Sequence, residues 1–94
     1  MAKVFVTDSN WQADARICRV SDEWRADLKV YITDSEWEAE GKDELWYYVD
    51  QDWLSTVKIT WVANEWDADI KVYFVDYNYQ AGWNTANPWQ NRLW

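Results

Sequence analysis

A thirteen-residue phrase recurs along this chain, and it limits the fold more than any other feature. The fifteen residues Ala26-Asp27-Leu28-Lys29-Val30-Tyr31-Ile32-Thr33-Asp34-Ser35-Glu36-Trp37-Glu38-Ala39-Glu40 carry it across a unit junction, and Ala68-Asp69-Ile70-Lys71-Val72-Tyr73-Phe74-Val75-Asp76 echoes it. The units run 3–15, 16–28, 29–41, 45–57, 58–70 and 71–83, with Lys42-Asp43-Glu44 inserted after the third. Their first position holds Lys3, Arg16, Lys29, Leu45, Lys58 and Lys71. Their ninth holds Trp11, Trp24, Trp37, Trp53, Trp66 and Tyr79, and their eleventh Ala13, Ala26, Ala39, Ser55, Ala68 and Ala81. Aromatic and small residues held in phase through every copy mean that one supersecondary unit is used repeatedly.

Within a unit the period is two. Leu28, Val30 and Ile32 alternate with Asp27, Lys29, Tyr31 and Thr33, which is the pattern of a half-buried β-strand. Val57, Ile59 and Trp61 repeat the apolar set, as do Ile70, Val72 and Phe74. The second unit departs from it, because Ala15 and Ile17 are followed by Arg19. A charge there predicts an edge strand. The fourth unit, Leu45-Trp46-Tyr47-Tyr48-Val49, is aromatic on both faces and predicts a strand covered on both sides.

The turns between strands carry capping-box spacing at Ser35/Glu38 and Ser9/Gln12, and more loosely at Asn64/Asp67. About one helical turn per unit is expected, too short to stand alone and held by packing of its Trp. The small residue two places later would let each turn pass close to another backbone. With two Gly and one Pro in the chain, the reversals must rely on Asp, Ser and Asn bonding to backbone. The insert at 42–44 is expected to be an exposed loop tolerant of added Gly and Ser. The tail, 84–94, leaves the repeat and is expected to dock by Trp89 and Trp94. Pattern alone therefore predicts a mainly β fold with short helical turns, a small β-solenoid or two-layer arrangement.

Composition sets bounds on function. Ninety-four residues make one domain, 1–94, and 49% hydrophobic residues with ten Trp require a folded chain. A net charge of −8 repels phosphate backbones and anionic lipid, so neither nucleic acid nor a membrane surface is an expected partner. There is no apolar run long enough to span a bilayer, and the N-terminus passes straight into strand pattern without a signal-peptide core. The single cysteine, Cys18, fits a cytoplasmic location and is read as a small structural residue. Histidine is absent, which removes the commonest general base and metal ligand. No phosphate loop or zinc spacing is present, so no cofactor and no enzymatic activity are expected. A monomer or weak homo-oligomer is expected.

Asp14, Asp27, Glu40 and Asp69 each precede a basic residue by two places (Arg16, Lys29, Lys42, Lys71). They could be calcium ligands or a carboxylate pair, but the calcium loop with its central Gly is missing. They are read as turn caps and short ion pairs on a solvated face. The ninth-position Trp residues are read as core. A binding surface for carbohydrate or an aromatic peptide is assigned to Tyr77, Tyr79, Trp89 and Trp94.

Two stretches carry a family resemblance. Asp69-Ile70-Lys71-Val72-Tyr73-Phe74-Val75-Asp76-Tyr77-Asn78-Tyr79-Gln80-Ala81-Gly82-Trp83 resembles the closing signature of the septoil-knot domain family. Asp43-Glu44-Leu45-Trp46-Tyr47-Tyr48-Val49-Asp50 is similar to that family's central strand. These are small bacterial proteins whose backbone forms a 7(1) torus knot. The resemblance covers 3–83; it departs at Asn84, where a basic residue is expected, and in the Trp-rich turns and the tail. It implies that the six units close into a compact knotted single domain. Because the family has no established activity, it supplies no functional residues. The expected role is a highly stable, non-enzymatic structural or protein-interaction domain; the alternative is an aromatic-surface binding module.

Overall fold

The alternating segments form strands β1 (Ala2–Val6), β2 (Ala15–Arg19), β3 (Leu28–Ile32), β4 (Leu45–Tyr48), β5 (Val57–Trp61), β6 (Ile70–Phe74) and β7 (Gly82–Trp83). The computed structural model describes residues 2–9, 11–35 and 42–94. Trp37, Glu38, Ala39 and Glu40 lie outside these residues. The sheet order is β4-β1-β5-β2-β6-β3-β7, and an additional β3–β4 pairing closes the first six strands into a ring. Strands β1, β2 and β3 lie two places apart, as do β4, β5, β6 and β7, while β4 pairs directly with β3, so the chain goes round twice to fill seven places. All six pairings in the ring are parallel.

Every neighbouring pair is staggered by two repeat positions. Ala2 lies opposite Trp46, Val57 opposite Val4, Ala15 opposite Ile59, Ile70 opposite Ile17, and Leu28 opposite Val72. A stagger of two keeps each inward face inward, whereas a slip of one would turn it to solvent. The barrel's middle layer is therefore Val4, Ile17, Val30, Trp46, Ile59 and Val72, one residue from each strand and all fully buried. Below it lie Ala2, Ala15, Leu28, Val57 and Ile70, also buried.

Each crossover that lies wholly within the described residues, or lacks only Asn10, returns down the outside of the barrel, passing the strand it skips. In three of them the Asp at the foot grips that strand's second residue twice. Asp14 N–H donates to the Lys58 carbonyl (2.7 Å) and its carboxylate accepts from Lys58 N–H (2.9 Å). Asp27 treats Lys71 in the same way (2.8 and 3.0 Å), and Asp69 treats Arg16 (2.7 and 2.9 Å). Thr56 takes this place opposite Lys3, and its hydroxyl also donates to the Leu93 carbonyl (2.6 Å), which a carboxylate could not do. These acids thus serve the backbone of a distant strand. Asp69 has its ion pair with Arg16, not with Lys71 two places on.

Four sequence expectations are overturned. Strand β2 lies inside the ring between β5 and β6, and Arg19 is tolerated because it stands at the strand's open end. The expected short helical turns are present as 3-10 turns, but they are closed by backbone bonds, such as Ala26 N–H to Glu23 O and Ala68 N–H to Glu65 O, and not by capping side chains. Asn64 makes no side-chain cap, and Gln12 pairs its side chain with Thr7. Trp11, Trp24, Trp53 and Trp66 are not core, as described below. Finally, Asp43 in the insert is only 3% exposed.

Asp43 joins the barrel to the tail. Its carboxylate accepts from Trp83 Nε1 (3.0 Å), Leu93 N–H (3.0 Å) and Asn91 N–H, and its carbonyl accepts from Trp46 Nε1 (2.8 Å). Strand β7 pairs antiparallel beside β3, reached through Gly82 at φ +156°, a conformation that favours glycine. The tail then folds under the barrel, and Leu93, fully buried, joins the core. The tail docks by Leu93 more than by its indoles: Trp89 packs partly against the core and Trp94 is exposed. Strand β4 is covered at Leu45 and Trp46 but half exposed at Tyr48.

Replacing Asp43 by Ala strands three buried or half-buried donors, each worth about 1–3 kcal/mol when unmet. Urea unfolding of Asp43→Ala should show a loss of roughly 3 kcal/mol or more, against about 1 kcal/mol for Asp14→Ala at an exposed clamp. A Gly-Ser insertion after Asp43 should be comparably damaging; a neutral insertion would show that Asp43 does not hold the tail.

Candidate functional site: an aromatic belt and an open barrel mouth

Each described crossover has to reverse within a few residues; four do so in a three-residue 3-10 turn, Glu23–Arg25, Asp52–Leu54, Glu65–Asp67 and Asn78–Gln80, and the one carrying Trp11 closes with Gln12 N–H on the Ser9 carbonyl (3.1 Å). A turn this short, lying outside the barrel and flanked by charged residues, has nothing to fold its aromatic side chain against. Trp11, Trp24, Trp53 and Trp66 are 82, 81, 75 and 81% exposed, and Tyr79 is 77% exposed. Because each crossover passes outside the strand it skips, these side chains follow one another around the circumference. The crossovers holding Trp53, Trp11, Trp66 and Trp24 cross β1, β5, β2 and β6 in ring order, and that of Tyr79 packs on β3. Adjacent turns are tied together by the Arg25–Glu65 ion pair, and Lys29 reaches Glu23 at 3.4 Å.

Of the residues picked from sequence, Tyr77 and Tyr79 are exposed and stack on each other, with ring centroids 5.6 Å apart and planes 16° from parallel. Trp89 is partly buried beneath the Arg92 guanidinium, 5.1 Å from its ring centre. Trp94 follows buried Leu93 and is half exposed. No ring contact joins the tyrosine pair to either tail indole among the described residues. The belt that sequence reasoning assigned to the core is the larger aromatic feature. Its signal lay in the flanking residues, Glu23 and Arg25 about Trp24, Glu65 and Asp67 about Trp66, which would strand charge if the indole were buried.

A second site sits at the end of the barrel where the parallel strands finish. The last inward residues are Val6, Arg19, Ile32, Tyr48, Trp61 and Phe74, one per strand by the same alternation. Val6, Tyr48 and Trp61 are each about two-fifths exposed, and among the described residues this end has no plug like Leu93 at the other. Trp46 forms the floor, edge-on to Tyr48 (6.4 Å, 80°) and to Phe74 (6.2 Å, 82°), and Phe74 leans on Trp61 (6.0 Å). The Arg19 guanidinium lies 4.9 Å from the Phe74 ring centre. Burial pushes the Tyr48 hydroxyl above its ordinary value of 10.0, and the Arg19 charge draws it partly back. Cys18 is buried beside this mouth, its Sγ 3.7 Å from the Arg19 carbonyl and 3.9 Å from that of Ala63. No group of three or more carboxylates or thiols converges to hold a metal among the described residues.

The opposed influences on Tyr48 give a signed test. Site-resolved ¹³C NMR of its ring should place its titration above pH 10.0, and Arg19→Gln should move it further up, because the attraction that favours the phenolate is removed. A downward move in that variant would contradict the arrangement.

No helix among the described residues is long and apolar enough to cross a membrane. Neither a curated protein nor a solved structure matches the chain. A family model does match, over residues 1–84, and it describes a 7(1) septoil knot domain. The match spans the whole strand region, from β1 through the antiparallel β7 strand. The chain belongs to the 7(1) septoil knot domain family.

Proposed function

We propose that this chain is a non-enzymatic binding domain, a knotted barrel presenting its turn aromatics as a multivalent surface for carbohydrate. The observation that carries this reading is the exposure of Trp11, Trp24, Trp53 and Trp66. Large apolar side chains left in water at regular positions are the informative exception on a protein surface. An indole offers a flat face for a sugar ring, and nearby polar groups can take the hydroxyls. Trp24 shares a shallow cleft with Glu23 and Asn84, an indole, a carboxylate and an amide. Because the Trp residues point outward around a ring, one rigid sugar cannot cover them all. Each is a separate weak contact, and affinity arises from repeated epitopes.

The stacked Tyr77–Tyr79 pair favours a second reading, contact with a protein partner, since Tyr is enriched at such interfaces. A glycan array probed with the full chain separates the two. Binding should appear on densely displayed glycans and fall about tenfold or more in Trp24→Ala and Trp66→Ala, in line with about 1–3 kcal/mol for a stacking contact. Both variants should unfold within about 0.5 kcal/mol of the parent, since nothing buried is removed. A silent array, or binding that survives loss of all four Trp residues, refutes the carbohydrate reading.

The scaffold reading has its own test. The two-circuit course of the chain supports the knot that the family description names. Optical-tweezer extension from both termini should stop short of the length of a free chain by the residues held in a tightened knot. Full extension would exclude the knot.

A further inference from the structure

The two ends of the barrel are built differently. At one end the chain supplies its own stopper: Leu93 is fully buried and held by Asp43 and Thr56. At the other end, inward side chains stand half in water over a Trp46 floor. We propose that this mouth binds a small planar aromatic carboxylate, its ring set among Tyr48, Trp61 and Phe74 and its carboxylate on Arg19.

Charge and shape support that occupant. Arg19 spends only the face of its guanidinium on Phe74, and the donors of a guanidinium lie in its plane. No carboxylate among the described residues takes those donors. Such a fork matches a carboxylate in bidentate fashion. The rim is otherwise acidic: two residues past the last inward residue, four strands carry exposed Asp8, Asp34, Asp50 and Asp76. The adjacent strands β2 and β5 carry Ser21 and Ala63 instead. The acid-free sector is thus the one from which Arg19 and Trp61 rise. A cleft of about 490 Å³ opens there, bounded by Arg19, Tyr48, Trp61, Ala63 and Phe74. This lies within the usual range for small-molecule sites. The acids on the remaining rim disfavour large polyanions, which limits the ligand to one negative group and an apolar body.

NMR titration of the full chain with indole-3-acetate tests the site. Shifts should concentrate at Arg19 Nε, the Trp61 indole and the Phe74 ring. Neutral 3-methylindole and cationic tryptamine should each bind about tenfold more weakly or worse, the loss expected when a charge-assisted pair is not formed. Arg19→Gln should remove the preference for the carboxylate while Trp61→Ala weakens all three probes, and Trp24→Ala should change none of them. If Arg19→Gln fails to fold, the comparison of the three probes on the parent chain still decides. The proposal fails if the Arg19 and Trp61 signals stay still at about 10 mM indole-3-acetate. It also fails if tryptamine binds as well as the acid, or if the shifts centre on the Trp24 and Trp66 turns.

Discussion

The fold depends on a clamp made, at four crossovers, between the foot of the crossover and the start of the strand it has skipped. Asp14 on Lys58, Asp27 on Lys71, Asp69 on Arg16 and Thr56 on Lys3 are the same reciprocal pair of hydrogen bonds in different places. Parallel strands ordinarily need a crossover of a dozen residues or more. Here stretches such as 7–14 and 62–69 suffice, because a crossover has only one strand to pass and is fastened as it arrives. The clamp fixes where the next strand begins, and with it the two-position stagger. Since the stagger is even, each alternating strand turns its apolar face inward without correction. Register, winding and core follow from one local contact used again.

A repeating contact cannot end itself, and both ends of the series show how the chain handles this. In the sixth unit the clamp position is Gly82, whose positive φ breaks the parallel course and lays β7 antiparallel against β3. The chain that follows has no strand left to pass, and Asp43 collects it. A carboxylate with room for several donors suits that task, since the indole of Trp83 and the backbone of Asn91 and Leu93 all reach it. The three-residue insert is thus the place where the first circuit is tied to the last residues. It shifts the spacing by three without disturbing the inward alternation of β4, because Trp46 still falls in the fully buried middle layer.

The strands were legible in the sequence because period two is a local property: Leu28, Val30, Ile70 and Val72 declare their inward face within a few residues. What stayed hidden is non-local. Asp69 precedes Lys71 on its own strand, yet its partner is Arg16, far back in sequence, and only the winding brings them together. Arg19 looked like an edge charge because a strand's neighbours cannot be read from that strand alone. The Trp residues were misplaced for a different reason. Regular spacing is shared by core residues and by residues on a regular surface, and only the charged flanks of Trp24 and Trp66 distinguish the two. Asp43 was missed because an insert in a repeat resembles a loop until the tail that covers it is in place.

These distinctions also say where function can reside in such a molecule. Middle-layer positions are committed to packing and clamp positions to register, so neither can vary freely. The described ninth positions are outside the barrel and lie beyond both constraints, which lets them share one chemistry from turn to turn. The mouth positions are inside but terminal, and each strand fills its own differently: Val6, Arg19, Ile32, Tyr48, Trp61 and Phe74. A symmetric ring has no preferred direction, so a selective site requires those differences. Two-circuit winding then sets a first-circuit strand beside a second-circuit one, so Arg19 and Trp61, remote in sequence, stand on adjacent strands. The path that buries the core with a repeated phrase therefore also lets distant single departures from the phrase meet in one place.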